Sequence, residues 1–472
     1  MKKFIYTFLL LLMALGMNAQ QEFWYEGVRY RAIDYYSVEV IAAGDSIYTG
    51  RVVIPRYALC ETVDEAGVEH VEEFEVTAIA DSAFFRCGGL TGVVLPKSLT
   101  RIGRNAFYYC TALASVDIPN SVKRIDTGAF YQCSSLASVT LSSTLESIGN
   151  SAFARCSNLH AITLPNTLTS VGEACFFSSA IESIVIPESL TELPTSMFRE
   201  CGWLRSVTLP NTLKKIGDRV FEYTSFSSIT IPNSVTEIGA EAFKYSLVKE
   251  IKLSESLKRI EGRTFEACPL THIEIPDSVT YIGGMLFYNC SSLKSIKFSN
   301  RADTIDYGVC YTCDSLESVV IPNSVRYIDA YAFYKCPRLT SVVLGKSLEF
   351  IGNTSFYHTA LTSVTSLNRT PPLGYLDIFG WSYDTATLYV PEKSVEAYRT
   401  AYMWSRFTNI VGIYVEPDPG DMNDDGTLDV DDVSLLISML VGGGDLPPYA
   451  DVNGDGEIDV SDVTKLIINL LK

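Results

Sequence analysis

The chain has 472 residues, with 37 lysines and arginines against 55 aspartates and glutamates, a formal charge of −18. At 47% hydrophobic residues it can bury a large core, which excludes wholesale disorder. The acidic balance excludes nucleic acid and anionic membrane surfaces as leading partners, because both are recognised by clustered lysine and arginine.

Lys2 and Lys3 precede an apolar stretch from Phe4 to about Met17, and Ala19 offers a small residue for cleavage. Residues 1–19 therefore read as a secretory signal rather than an anchor. No later apolar run reaches 18 residues, so no direct membrane span is expected. The mature protein is expected to be secreted or held at the cell surface.

Residues 20–80 are irregular. Aromatic side chains gather at Phe23, Trp24, Tyr25, Tyr30, Tyr35 and Tyr36, and strand-like runs come next at 37–42, 51–54 and 74–79. A repeat array begins near residue 81, and its open end is an exposed edge, so residues 20–80 are expected to be a β-hairpin cap. An aromatic platform for carbohydrate is the alternative.

From residue 81 to 367 one phrase recurs: Leu-x-x-Ile-x-Ile-Pro-x-Ser-Val-x-x-Ile-Gly-x-x-Ala-Phe-x-x-Cys. Its phenylalanine runs from Phe84, Phe107 and Phe130 to Phe356 in steps of 22 or 23, with Cys310 filling one place, which gives thirteen units. Pro96, Pro119, Pro165 and Pro322 each follow a short apolar triplet and end a strand, because proline cannot donate to a ladder. Triads such as Leu113/Val116/Ile118 and Leu159/Ile162/Leu164 supply the inward positions of a half-buried strand. Pairs such as Val122/Ile125 begin a return leg, and the Ala-Phe-x-x-Cys segment predicts a turn or one to two helical turns. A unit this short has no core of its own and is stable only when stacked on the next. The fold class is a repeat solenoid with leucine, isoleucine and phenylalanine in interior ladders.

The cysteines keep the same register. Cys87, Cys110, Cys133, Cys156, Cys201, Cys268, Cys290, Cys313 and Cys336 each follow the phenylalanine place by three. Small, periodic and buried is the signature of packing. Adjacent coils fall within disulfide range, yet reduced thiols are the expectation. One cysteine per coil without a histidine partner argues against zinc or an iron–sulfur cluster.

The phrase resembles the BspA-like leucine-rich repeats of bacterial surface and secreted proteins. That resemblance implies a right-handed leucine-rich-repeat coil with a short parallel strand per unit, a sheet on one face, and an adhesin-like role without catalysis. Along the exposed strand columns, serine and threonine form a flat lawn. Glu250, Lys252, His272, Glu274 and Lys297 break it and make a candidate contact patch for an extracellular protein or glycan. The four histidines, His70, His160, His272 and His358, lie on different elements, and no catalytic trio, carboxylate pair or phosphate loop emerges from the spacing. No enzyme is expected.

After Phe356 the register is lost. Pro371-Pro372 opens a divergent stretch, a final strand precedes Pro391, and 392–402 has helical periodicity with Trp404 and Phe407 positioned to cover the last coil. Residues 368–414 read as a C-terminal cap and 415–420 as a linker.

Residues 417–472 hold thirteen acidic residues against two lysines, leaving only −7 of the net charge elsewhere. The acids follow a fixed grammar. One loop places Asp421, Asn423, Asp425, Thr427, Asp429 and Asp432 at positions 1, 3, 5, 7, 9 and 12, and the other places Asp451, Asn453, Asp455, Glu457, Asp459 and Asp462 there, thirty residues on. Position 7 offers a backbone carbonyl, the others side-chain oxygens, and Gly426 and Gly456 allow the sharp turn at position 6. Hard oxygen donors of this kind predict two calcium ions. Position 12 is aspartate in both loops, shorter than the usual glutamate. An apolar helix follows each loop.

Over about 55 residues this region resembles a type I dockerin. The resemblance implies that 421–472 is a small helical calcium-binding module that docks to a cohesin-like partner. It also carries recognition to positions 10 and 11, which are Val430, Asp431, Val460 and Ser461; the copies differ at position 11, a departure from symmetric members that dock in two orientations. The combined reading is a secreted recognition protein with a docking plug. A structural spacer or scaffold component and a carbohydrate-active enzyme are the alternatives.

Overall fold

The computed structural model describes residues 21–471 apart from Asp45, Glu65, Leu376, Asp425, Gly444 and Asp445. The secretory-signal reading of residues 1–19 lies outside the described residues. The chain divides into two compact units, Met1–Ala302 with Asp306–Leu316, and Asp303–Ile305 with Glu317–Lys472.

In the first unit, strand alternation sets the coil. Val116 of Ser115–Asp117 is buried while Ser115 and Asp117 face solvent, and the strand pairs in parallel with Ser138–Thr140. The same parallel pairing joins Ser183–Val185 to Ser206–Thr208, Ser228–Thr230 to Glu250–Lys252, and His272–Glu274 to Ser295–Lys297. The return leg is more than a connection. Its two-residue strands form further parallel ladders, Arg101–Ile102 through Arg124–Ile125 and Ser147–Ile148 to Ser170–Val171, and Glu192–Leu193 through to Tyr281–Ile282. Parallel sheet therefore extends beyond the single face that the resemblance implied. Around Leu159, Ile162 and Leu164 the side chains are buried as expected, but no strand forms.

The segment around each phenylalanine is a turn. Asn105 and Tyr109 flank Phe107 with φ of 52° and 60°, and left-handed residues two places before and after the phenylalanine stop a helix from propagating. The alternation also decides where the backbone donors go. The N–H groups of Asn105, Phe107 and Tyr109 donate to Thr127, Ala129 and Tyr131 of the next coil at 2.9, 2.7 and 2.8 Å, while Tyr108 and Cys110 bond within their own turn. The phenylalanines stack face to face at coil spacing, with centroids 4.8 Å apart for Phe84–Phe107 and 5.1 Å for Phe107–Phe130.

Ahead of the repeats, Glu22–Tyr25 and Val28–Ala32 form a hairpin, with Tyr30 packed inward against Phe23. A second hairpin, Tyr57–Val63 with Glu69–Ile79, hands the ladder to Arg101–Ile102. Gly50–Val53 already pairs in parallel with Leu90–Val94, and Tyr48 stands 4.7 Å from Phe84, so coil geometry starts before residue 81.

In the second unit, Ser318–Val320, Ser341–Leu344, Ser363–Ser366, Thr387–Pro391 and Asn409–Ile413 form one parallel run. The expected loss of register after Phe356 needs correction. Phe379, 23 residues on, stacks on Phe356 at 5.3 Å, and Leu373–Gly374 just after the proline pair still pairs with Phe350–Ile351. Helix α1 (Ser382–Thr385) and helix α2 (Val395–Thr400) come next; α2 buries Tyr398, and Trp404 donates its indole N–H to the Pro372 carbonyl at 2.8 Å. Helices α3 (Val430–Gly442) and α4 (Val460–Leu470) form the C-terminal module around Met422, Val433, Leu436, Ala450, Val463 and Leu466. Among the described residues, no helix is long and apolar enough to cross a membrane.

Candidate functional site

On the strand face of the first unit, Ser228 and Thr230 stand opposite Glu250 and Lys252 in register. Together with Thr208 and His272 these side chains border a shallow depression of about 680 Å³. Three of the five patch residues, Glu250, Lys252 and His272, thus share one surface. Glu274 and Lys297 face each other on the next strand pair, 3.7 Å apart and largely exposed. The histidines stay separate: His70 pairs with Asp64 at 3.0 Å and His160 with Glu182 at 3.1 Å, while His358 lies edge-on to Trp381.

The two C-terminal loops repeat one backbone frame. In the first, the Gly426 N–H donates to Asp421 Oδ2 at 3.0 Å, and Asp432 accepts from Met422, Asn423 and Asp429 at 2.8, 3.2 and 2.9 Å. In the second, the Gly456 N–H donates to Asp451 Oδ2 at 2.9 Å, and Asp462 accepts from Val452, Asn453 and Asp459 at 2.8, 3.0 and 2.8 Å. Positive φ at Gly426 and Gly456, 87° and 86°, makes the turn that aims these donors inward. Positions 9 and 12 also start the helices: Asp429 with Asp432, and Asp459 with Asp462, are capping boxes for α3 and α4. Hydrogen bonds from the Ser461 side chain and backbone hold Asp459 below the usual carboxylate range.

Among the described residues, Asp421, Asp429, Asp432, Asp451, Asp459 and Asp462 each accept from backbone N–H groups. Among the described residues, no three histidine, cysteine, aspartate or glutamate side chains group so as to hold a metal ion; Asp425 lies outside them. The donor set nevertheless fits calcium. It is oxygen throughout, and Asp432 and Asp462 are fully buried carboxylates with backbone N–H partners and, among the described residues, no cationic side chain paired with them. A buried carboxylate without a counter-charge is costly, and a divalent cation supplies one. Val430 and Val460 are exposed by 71% and 73%, and Asp431 and Ser461 are also exposed, at the openings of α3 and α4.

Three residues absent from the sequence reading join the first loop. Asp424, at position 4, receives Lys393 Nζ at 3.0 Å from its Oδ2, and its Oδ1 is paired with Arg369. Although burial opposes it, hydrogen bonds from Lys393 and Arg369 hold the Asp424 carboxyl below its ordinary range. Nothing local in the sequence marked this contact, since Arg369 and Lys393 lie 55 and 31 residues before Asp424.

Residues 77–203, 175–283 and 259–374 match the BspA type leucine rich repeat region, and residues 419–471 match the Dockerin type I domain. No curated protein matches the chain. Among solved structures, a leucine-rich repeat protein from Bacteroides ovatus ATCC 8483 is 26% identical, with a TM-score of 0.62 over 79% of this chain and 98% of that one. A leucine rich cell surface protein from Faecalibacterium prausnitzii A2-165 is 26% identical, with a TM-score of 0.43 over 74% and 95% of the two chains. A leucine-rich repeat protein from Eubacterium ventriosum ATCC 27560 is 22% identical, with a TM-score of 0.45 over 64% and 93%. The first of these carries the likeness of fold.

Proposed function

We propose a recognition and docking function, without catalysis, for this chain, which belongs to the BspA type leucine rich repeat family and carries a Dockerin type I domain at its C-terminus. The repeat face around Glu250, Lys252 and His272 holds an extracellular protein or glycan, with Glu274 and Lys297 extending the contact. The C-terminal module docks a cohesin-like partner through Val430, Asp431, Val460 and Ser461. The protein works outside the cell, secreted or at the surface. One observation carries the docking half of this reading: two loops thirty residues apart hold the same donors in the same backbone frame.

Asp421, Asn423, Asp425, Thr427, Asp429 and Asp432 hold one calcium ion, and Asp451, Asn453, Asp455, Glu457, Asp459 and Asp462 the other. Calcium supplies the charge that lets mutually repelling carboxylates converge, so its binding free energy adds to the stability of a small module. Asp432 and Asp462 also hold their loops to the helix starts by accepting backbone N–H bonds.

The test is a pull-down from the producing cell's extracellular and envelope fractions, in calcium or in chelator. The baits are the full chain, the chain with Asp421→Ala and Asp451→Ala, and the chain with Lys252→Ala and His272→Ala. A partner retained only in calcium, and lost with the loop substitutions, is the expected docking result. A second target lost only with the Lys252 and His272 substitutions assigns recognition to the repeat face. Retention of every partner by all three baits, in chelator as in calcium, contradicts the docking reading and leaves a structural spacer.

A further inference from the structure

The two loops share a frame but not a neighbourhood. Position 4 is Asp424 in the first loop and Gly454 in the second, both with positive φ, 56° and 76°. Position 4 is outside the calcium donor set, so the Asp424 carboxylate is surplus to the ion. It is matched instead to the cap. Lys393 Nζ lies 3.0 Å from Asp424 Oδ2 and donates to the carbonyls of Asn423 and Asp424, both at 3.1 Å. Arg369 donates to the Asp424 carbonyl at 2.6 Å, pairs with its carboxylate, and reaches within 3.6 Å of Asp421 Oδ2, the first calcium position.

The contact is fitted as well as charged. A Cβ on Gly426 would stand 2.4 Å from Arg369 Cδ, whereas one on Gly456 would meet nothing within 4 Å. The arginine side chain is only 18% exposed. Lys346 adds a third cation from the repeats, 2.5 Å from Asp418 at the entrance to the module. Among the described residues, no ion pair reaches the second loop from the cap or the repeats.

We propose that Arg369 and Lys393 are an internal cation site that clasps the first loop and makes it the weaker of the two calcium sites. This rests on the calcium reading of the loops. An ion entering the first loop meets two positive charges a few ångströms away and must take Asp421 from Arg369, while an ion entering the second meets carboxylates alone. The second loop therefore loads first. Linkage runs both ways: filling the first loop weakens its hold on the cap by the same factor that the clasp weakens calcium there.

The full chain carrying Asp451→Asn leaves the first loop to be titrated with calcium by calorimetry, and the full chain carrying Asp421→Asn leaves the second. The first-loop chain is expected to bind roughly tenfold more weakly. Adding Arg369→Gln and Lys393→Gln to it should close most of that gap, and adding them to the second-loop chain should change nothing. Lys393 is 60% exposed, so Lys393→Gln alone alters the loop without threatening the fold and should close part of the gap. Equal affinities in the two single-loop chains, or a gap that ignores both cation substitutions, overturn the clasp while leaving calcium binding intact. No calcium uptake by the unmodified chain overturns the calcium reading and the clasp with it.

Discussion

Ala267 adopts a φ of 55° on the trailing side of Phe265, where other coils carry Arg86, Tyr109 or Thr312. A Cβ in that region costs about 1–2 kcal/mol, against about 0.5–1 kcal/mol for the extra freedom glycine loses on folding. Ala267→Gly is therefore expected to stabilise the protein by up to about 1 kcal/mol in denaturant unfolding, and a clear loss would contradict the turn geometry. The trailing places carry no glycine and the leading places carry it only at Gly128 and Gly308, which is why the segment read equally as turn or helix. The cysteine column was legible because spacing alone fixed it. Cys156 and Cys268 are buried free thiols, and their Sγ–H groups donate to the carbonyls of Phe130 and Phe243 at 3.2 and 3.0 Å. Burial pushes both thiols up to about 12, and Cys201 to about 11, despite opposing hydrogen bonds. Native protein at pH 8 should resist alkylation at these positions, and unfolded protein should not. Below the ordinary thiol value of about 8.5 both states keep the proton; above it the unfolded chain releases it first. Stability should fall as pH rises from about 8.5 towards about 12, and a melting midpoint that rises across this window contradicts the burial.

At the scale of elements, the phenylalanine stack holds successive coils in register. Phe130 is fully buried between Phe107 and Phe153, at 5.1 and 5.2 Å. Phe130→Ala leaves a ring-sized void that two flanking rings cannot fill, so a loss of about 3–5 kcal/mol is expected from denaturant unfolding. A loss under about 1 kcal/mol would mean the coils collapse freely around it. The ladder was readable from the 22- or 23-residue step, yet its continuation to Phe379 was not. Pro371-Pro372 looked like the end of the array, because proline breaks a ladder. Here the prolines precede the return strand Leu373–Gly374, so the coil continues past them. The return-leg ladders were hidden for a different reason: strands two residues long offer no alternation to detect.

At the scale of the whole chain, the change from repeats to C-terminal module was visible in composition, since the last segment is far more acidic than the rest. The candidate loop donors could be named from spacing because one continuous stretch supplies each set. The clasp was not, because Arg369 and Lys393 lie 55 and 31 residues before Asp424 and meet it only through folding. For the candidate strand-face patch, sequence carried the orientation but not the grouping. Strand alternation put Glu250, Lys252 and His272 outward, but only the stacking of coils gathers them around one depression. Everything proposed for the module depends on whether its paired loops take up calcium as a pair. Calorimetric titration of the full chain with calcium asks this of the protein itself. Two ions per chain are expected, with uptake abolished when Asp421 and Asp451 are both replaced by alanine. A chain that binds no calcium, or one whose uptake survives those substitutions, contradicts the calcium reading and the docking function built on it.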